Sequence, residues 1–286
     1  PSQFDAGGAK EGQFFSVFFP SLTAMVGFWA TLSLNIPDFT RYAKSQRDQI
    51  LGQAVGLPTT MTLFAFIGVA VTSATVSIFG EAIWDPTVLL GKMGGGFAVI
   101  ISLFALTIAT LSTNIAANVV SPANAFTNIA PSKIRFRIGG MVTAGIGVAI
   151  FPWKLLASTD GYIFTWLIGY SALLGPIGGI LIADYFIVRR TELDIEQLYK
   201  KKGLYTYKGG FNPIAVVAFL IAVAPNLPGF LKAAGAVESV PEIFNTIYTY
   251  AWFVGFIIAA LLYVIGMKAL PQLAGATDAS APSSKE

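Results

Sequence analysis

Seven stretches of this sequence are each apolar over roughly the 20 residues that an α-helix needs to cross a hydrocarbon core about 30 Å thick. They lie near Phe15–Leu34, Leu57–Phe79, Phe97–Val120, Ile138–Leu156, Tyr162–Val188, Pro213–Phe230 and Tyr248–Met267, separated by charged or turn-forming breaks. The sixth is short and carries Pro225 and Pro228 near its end, and the fourth is Gly-rich and stops at Pro152, which makes these two boundaries the softest. Composition forces the same reading. With 55% apolar and only 12% charged residues, the chain lacks the charge, about 25%, with which soluble domains cover their surface. The expected fold is therefore an all-α integral membrane protein of seven transmembrane helices.

Seven spans put alternate connections on opposite sides of the bilayer, and the basic residues divide between those two sets. Of the 18 Lys and Arg residues, only Lys10, Lys92, Lys154 and Lys232 fall on one side, and all the rest, including Arg41, Arg135, Arg189 and Lys200, fall on the other. The positive-inside rule places the basic side in the cytoplasm, so the start of the chain is expected outside and its end inside a plasma or inner membrane. The opening from Pro1 is polar and Gly-containing, without the basic-then-apolar layout of a signal peptide, and reads as the internal start of a fragment. The stretch from Pro271 to Glu286 is Ala-, Ser- and Pro-rich and is expected to be disordered.

What the chain lacks is informative too. There is no Cys and no His, which removes thiolate nucleophiles, imidazole bases and the usual transition-metal ligands, and no Asp-rich cluster stands at membrane depth to build an acid/base pair. An enzyme and a bound cofactor are not expected. The net charge of +3 is spread over loops that orient spans, so nucleic acid is not an expected partner. Asp38 and Asp184 lie at the ends of the first and fifth spans, beside basic loops, and are expected at the interface.

Polar groups inside the spans carry the functional signal, because each unpaired one in hydrocarbon costs free energy. The third span is richest, with Thr107, Thr110, Ser112, Thr113, Asn114 and Asn118 in ALTIATLSTNIAANVV. On a helix Ala109, Ser112 and Thr113 stand at i, i+3 and i+4, which points one carbonyl region and two hydroxyls to one side, hard oxygen donors of the kind that suit sodium. Asn114 and Asn118 form another i, i+4 pair, and an amide donates and accepts at once, as the edge of a heterocycle requires. Small hydroxyl residues also serve close helix packing, which accounts for the Ser and Thr equally well; two amides on one span shift the balance toward a site. In the first span Gly27 precedes Phe28 and Trp29, a candidate helix break that would present a flat ring for stacking. In the fifth, Gly175, Pro176, Gly178 and Gly179 follow Leu173 and Leu174, a candidate bend that would make those leucines a gate.

The runs GFWATLSLNIPDFTRYAKSQRDQ, LSTNIAANVVSPANAF and DGYIFTWLIGYSALLGPIGGILIADYFIVRR together resemble the nucleobase:cation symporter-1 family, over nearly the whole chain to about Phe230. The resemblance implies a leucine-transporter-like fold of two inverted five-helix repeats and two peripheral helices, of which this chain would supply spans six to twelve. It implies an outer segment over residues 1–13, the second repeat over 14–190, a cytoplasmic loop over 191–212, the peripheral helices over 213–268 and a tail over 269–286. It also implies roles: Gly27 at the helix break, Phe28 stacking on a heterocycle with Trp29 beside it, Asn118 reading the ring's edge with Asn114 in support, and a sodium site from the Ala109 carbonyl with Ser112 and Thr113. The remaining cation ligands and a second aromatic would come from a first repeat, the partner this chain lacks.

These readings converge on the C-terminal part of a secondary transporter. It would carry a uracil-, cytosine-, allantoin- or hydantoin-type heterocycle across the lipid bilayer with Na+ or H+. The rivals are an amino-acid carrier of the same general fold, which would bind a carboxylate at the broken-helix N-terminus, and a non-transporting seven-helix membrane protein.

Overall fold

The computed structural model describes residues 4–155, 157, 161–200, 203–207 and 209–270. Every regular element among them is helical, and seven helices are long and apolar enough to cross a membrane. They are α1 (Phe14–Asn35), α2 (Gln46–Phe79), α3 (Gly96–Ile129), α4 (Phe136–Lys154), α5 (Gly161–Val188), α6 (Pro213–Ala233) and α7 (Ala251–Ala269). Each expected span is present. The expected tail from Pro271 onward, and Leu156 at the end of the fourth span, lie outside the described residues.

Where the boundaries differ, local chemistry explains why. α2 begins at Gln46, well before Leu57, because Ser45 accepts a hydrogen bond from Asp48 N at 3.1 Å and caps a polar first part that hydropathy leaves out. Its 34 residues make a rod of about 50 Å, longer than the hydrocarbon core, so its polar end emerges into water. Gly80 closes it in the left-handed region at φ 78°. α3 runs past Val120 to Ile129, through Pro122. It does so by widening into a π-helical turn at Ile115–Val119, an adjustment that lets a membrane helix carry a proline whose ring would clash with the carbonyl four residues back. α6 passes Pro225 and Pro228 through a tight turn at Ala224–Asn226 and continues to Ala233. The seventh span begins at Ala251, not Tyr248: Tyr248 ends a separate amphipathic helix, Glu242–Thr249, and is itself buried.

By compactness the chain divides into two units, Pro1–Leu34 with Phe151–Glu286, and Asn35–Ile150. The first holds α1, α5, α6 and α7. Lipid tails are as apolar as leucine, so membrane helices join through close backbone approach and hydrogen bonds, not through exclusion of water. α5 and α7 follow that rule. A Cβ on Gly175 would collide with Trp252 O and one on Gly179 with Phe256 O, while a Cβ on Gly255 would come within 2.7 Å of Pro176 Cδ. α1 joins the same seam at Gly27, where a Cβ would sit 2.7 Å from Leu167 O and collide with Ser171 Oγ. Ser171 Oγ donates to Thr23 O at 3.1 Å, and Thr23 Oγ1 donates to Thr249 O at 2.6 Å.

Two expected breaks are thereby corrected. α1 is helical without interruption from Phe14 through Gly27 to Asn35, so Gly27 is a contact. α5 stays α-helical through Pro176 from Ile168 to Ile182, and its glycines are filled by α7. In both cases the missing Cβ makes room for a neighbour's backbone.

The second unit holds α2, α3 and most of α4. α3 and α4 approach at Gly139, where a Cβ would lie 2.7 Å from Ala123 O, and Ala123 is fully buried there.

Replacing Gly179 by Ala forces α7 away from α5, and the expected loss is about 1–3 kcal/mol, the usual cost of overpacking. Gly147→Ala on α4, with nothing within 4 Å of the new methyl, leaves stability near its starting value. Thermal unfolding of the two variants in the same detergent or bilayer particle measures the difference.

Candidate functional site

The polar residues of α3 are tied down by side-chain hydrogen bonds, the last of which run from Thr110 through Asn114 to Asn118. Thr107 Oγ1 donates to Leu103 O at 2.7 Å, Ser112 Oγ to Ala109 O at 3.0 Å, and Asn114 Nδ2 to Thr110 O at 3.2 Å. Asn118 Nδ2 then donates to Asn114 Oδ1 at 2.8 Å. These bonds end in the π-helical turn Ile115–Val119, which contains Asn118 and directly follows Asn114. Single wide turns of this kind are rare and concentrate at functional sites, because they displace side chains and loosen the backbone ladder.

The direction of those bonds has chemical content. Asn114 uses its amide N–H on the backbone and its oxygen on Asn118, so it is engaged at both ends and holds its neighbour. Asn118 spends one N–H on Asn114 and retains its carbonyl oxygen and a second N–H. It is exposed on the chain's surface, and therefore presents an acceptor and a donor side by side. Ala109, Ser112 and Thr113 lie on the same span, with the Ser112 hydroxyl hydrogen already directed at the Ala109 carbonyl. No group of three or more His, Cys, Asp or Glu side chains able to hold a metal occurs among the described residues.

The other expected contacts lie in the first unit. Phe28 and Trp29 meet edge to face, centroids 5.3 Å apart at 81°. Phe28 is 48% exposed and Trp29 half-buried, both on unbroken helix. The two expected gate leucines part company: Leu174 is buried against neighbouring helices and Leu173 is exposed. Thus the structure joins Asn114 to Asn118, Ser112 to Ala109 and Phe28 to Trp29, with the α3 residues in one unit and the aromatics and leucines in the other.

Sequence reasoning passed over a polar cluster at the end of α5. Asp184 Oδ2 accepts from Arg189 Nε at 2.6 Å, and Asp184 Oδ1 accepts from Tyr263 OH of α7 at 2.6 Å. Arg189 reaches on to Tyr207 OH at 2.6 Å and lies over the Tyr205 ring at 4.5 Å. Asn212 caps α6 through Ile214 N at 3.0 Å and donates to Tyr263 OH at 3.2 Å. Burial pulls the Arg189 guanidinium toward losing its proton, but the Asp184 hydrogen bond and charge outweigh it and leave the pKa raised. Burial raises the Tyr207 phenol as well. The cluster ties α5, α6, α7 and the loop after Val188 together, and it uses Asp184 structurally. The Asp184–Arg189 spacing is visible in the sequence; the distant Tyr263 is not. At α2's far end, Lys92 pairs with Glu81 on the surface.

Comparison with known proteins adds independent findings. A family model described as permease for cytosine/purines, uracil, thiamine and allantoin matches residues 2–255. A purine-uracil permease of Arabidopsis thaliana is 50% identical over 260 residues, covering 90% of this chain and 43% of that protein. An allantoin permease of Bacillus subtilis is 42% identical over 255 residues, covering 89% of this chain and 50% of that protein. The chain thus spans about half the length of these curated relatives. Among solved structures, a nucleobase-cation-symport-1 family transporter in a closed conformation with bromovinylhydantoin bound superposes with TM-score 0.69 at 28% identity. That match covers 96% of this chain and 56% of the other.

Tyr263→Phe removes one of the two hydrogen bonds to the Asp184 carboxylate, and its expected cost is about 1.5–3 kcal/mol, the range for bonds to charged groups. Tyr205→Phe, whose hydroxyl only accepts from Asp194 N at an exposed position, is expected to stay within about 0.5 kcal/mol of the parent. Unfolding midpoints of the two variants report the difference.

Proposed function

The chain belongs to the family of permeases for cytosine/purines, uracil, thiamine and allantoin, and from that premise we propose that it forms the C-terminal part of a cation-coupled transporter. Its substrate is a nucleobase or related heterocycle of the uracil, cytosine, allantoin or hydantoin type. The observation that carries the reading is the Asn114–Asn118 bond at 2.8 Å on the π-helical turn of α3, which fixes one amide and leaves it the donor-acceptor pair that a heterocycle's ring edge complements. Phe28 supplies the flat face on which the ring stacks, with Trp29 against its edge. The family and the seven membrane-length helices support a multi-pass membrane protein with a transport activity.

The coupled cation is a co-substrate, sodium, held by the Ala109 carbonyl with the Ser112 and Thr113 hydroxyls. Coupling then follows from differential affinity: the ion promotes substrate binding only as far as it prefers the conformation that binds the ring. Transport proceeds by alternating access, with the start of the chain outside and its end in the cytoplasm. The rest of the site is contributed by an N-terminal repeat of the same protein, in keeping with a chain that spans about half of its relatives. An amino-acid carrier would receive a carboxylate at a free helix N-terminus in the first span; α1 runs unbroken through Gly27 and offers none there.

The test is binding of labelled uracil, cytosine, allantoin, a hydantoin and adenine to the whole protein, with and without sodium. Sodium-dependent binding of one ring is expected, reduced at least tenfold by Asn118→Ala, about 1.4 kcal/mol. Ser112→Ala is expected to remove the sodium dependence while leaving weak binding of the ring. Absence of binding of every ring by a well-folded whole protein overturns the heterocycle assignment, and competition by leucine would turn it to an amino-acid carrier.

A further inference from the structure

A pocket of about 430 Å³ opens beside α5 and α6; none of the residues assigned above to substrate or cation lines it, and the candidate gate residue Leu173 lies on its wall. It follows α5 from Gly161 to Leu173 and α6 from Phe230 back to Val223. Its volume falls in the range of small-ligand sites, about 300–1,000 Å³, and its wall is almost wholly apolar. Trp166 and Tyr170 stand one turn apart on that wall, their rings stacked at 6.2 Å and 9°.

We propose that this pocket holds one acyl chain of a phospholipid, from the leaflet on the side of the α5 N-terminus. Depth supports the choice. The step from Gly161 to Leu173 rises about 18 Å along the helix, close to the roughly 15 Å hydrocarbon depth of one leaflet. Lys232, two residues beyond Phe230, is exposed and bonds Asn245 at 3.2 Å, which marks the water-facing level of α6. The pocket therefore begins at headgroup level and ends near the middle of the membrane.

The chemistry of the wall agrees. Thr165 Oγ1 donates to Ala233 O at 2.9 Å, and Asn226 Nδ2 donates to Ala222 O at 3.4 Å. The Asn226 side chain is 1% exposed; its Oδ1 has no hydrogen-bond partner and is closed off from solvent. Beyond Thr165 and Asn226 the wall offers no polar side chain except the Trp166 and Tyr170 ring heads, so a heterocycle entering here would lose its hydration with few partners in return, at a cost of kcal/mol per unmet group. A saturated chain loses nothing polar and gains contact with two aromatic faces.

The experiment uses the whole protein in bilayer particles doped with phospholipids that carry a photoactivatable diazirine, either at the end of one acyl chain or beside the headgroup. After irradiation, adducts are mapped to peptides. The chain-end probe is expected to label the peptides holding Leu173 and Val223 severalfold above the exposed α2 face around Phe64 and Phe66; the headgroup probe is expected to label those holding Gly161 and Phe230. Val223→Phe and Leu227→Trp, each filling the pocket from the α6 side, are expected to cut chain-end labelling severalfold. Labelling no higher than on α2 overturns the proposal, as does labelling that persists when either variant keeps the parent unfolding midpoint. Cross-links from these peptides to the upstream part of the longer protein, in place of lipid, overturn it too.

Discussion

The backbone contact between α5 and α7 is the interaction on which the first unit depends. Two apolar helices in a bilayer gain little by touching each other in place of lipid, so a stable pair needs something lipid cannot supply. Here it is approach so close that the Gly175 and Gly179 positions have no space for a Cβ, against the Trp252 and Phe256 carbonyls, with Gly255 giving the same space to Pro176. Everything attached to α5 then acquires its place: α1 through Gly27, Ser171 and Thr23, and the short Glu242–Thr249 helix through Tyr248, whose hydroxyl donates to Phe164 O at 3.1 Å and Thr165 O at 3.0 Å.

Those two carbonyls belong to the π-helical start of α5, Gly161–Leu167, and a second wide turn ends it at Ala183–Val188. A wide turn loosens the regular ladder, and in hydrocarbon a loosened carbonyl needs another donor. Tyr248 meets that need at one end. At the other, Tyr263, Asp184 and Arg189 form a half-buried group in which each charge has a partner, the condition under which buried charge is tolerated. Regular helix in the middle and irregular, side-chain-bonded helix at both ends is the solution in α5; in α3 a wide turn lies between two regular stretches.

In α3 the same irregularity falls within the polar stretch. Asn114 and Asn118, four residues apart, share one face, and one amide bonds the other at the start of the wide turn while the second stays open. For the ring-edge contact proposed above, an amide tethered in this way would lose less rotamer freedom on binding, which is how preorganisation improves affinity without a new contact.

Much of this was legible in the sequence. The number of spans, their approximate course and the concentration of polar residues on the third follow from hydropathy and helical spacing, which are local properties of the chain. The amide pair followed as well, because residues four apart must meet on any helix. The meaning of the glycines did not. Gly27 reads as a break and Gly175 and Gly179 as a bend, yet a missing side chain permits close contact as well, and the choice lies with whatever backbone arrives from a distant part of the chain. Asp184 posed the same problem, because its partner Tyr263 lies on another helix. Local composition therefore determined that this chain crosses a membrane seven times and which span carries its polar chemistry. Only the tertiary structure decided which glycines are joints between helices and which charges are paired, because close approach in lipid is a property of two surfaces, and a sequence displays one at a time.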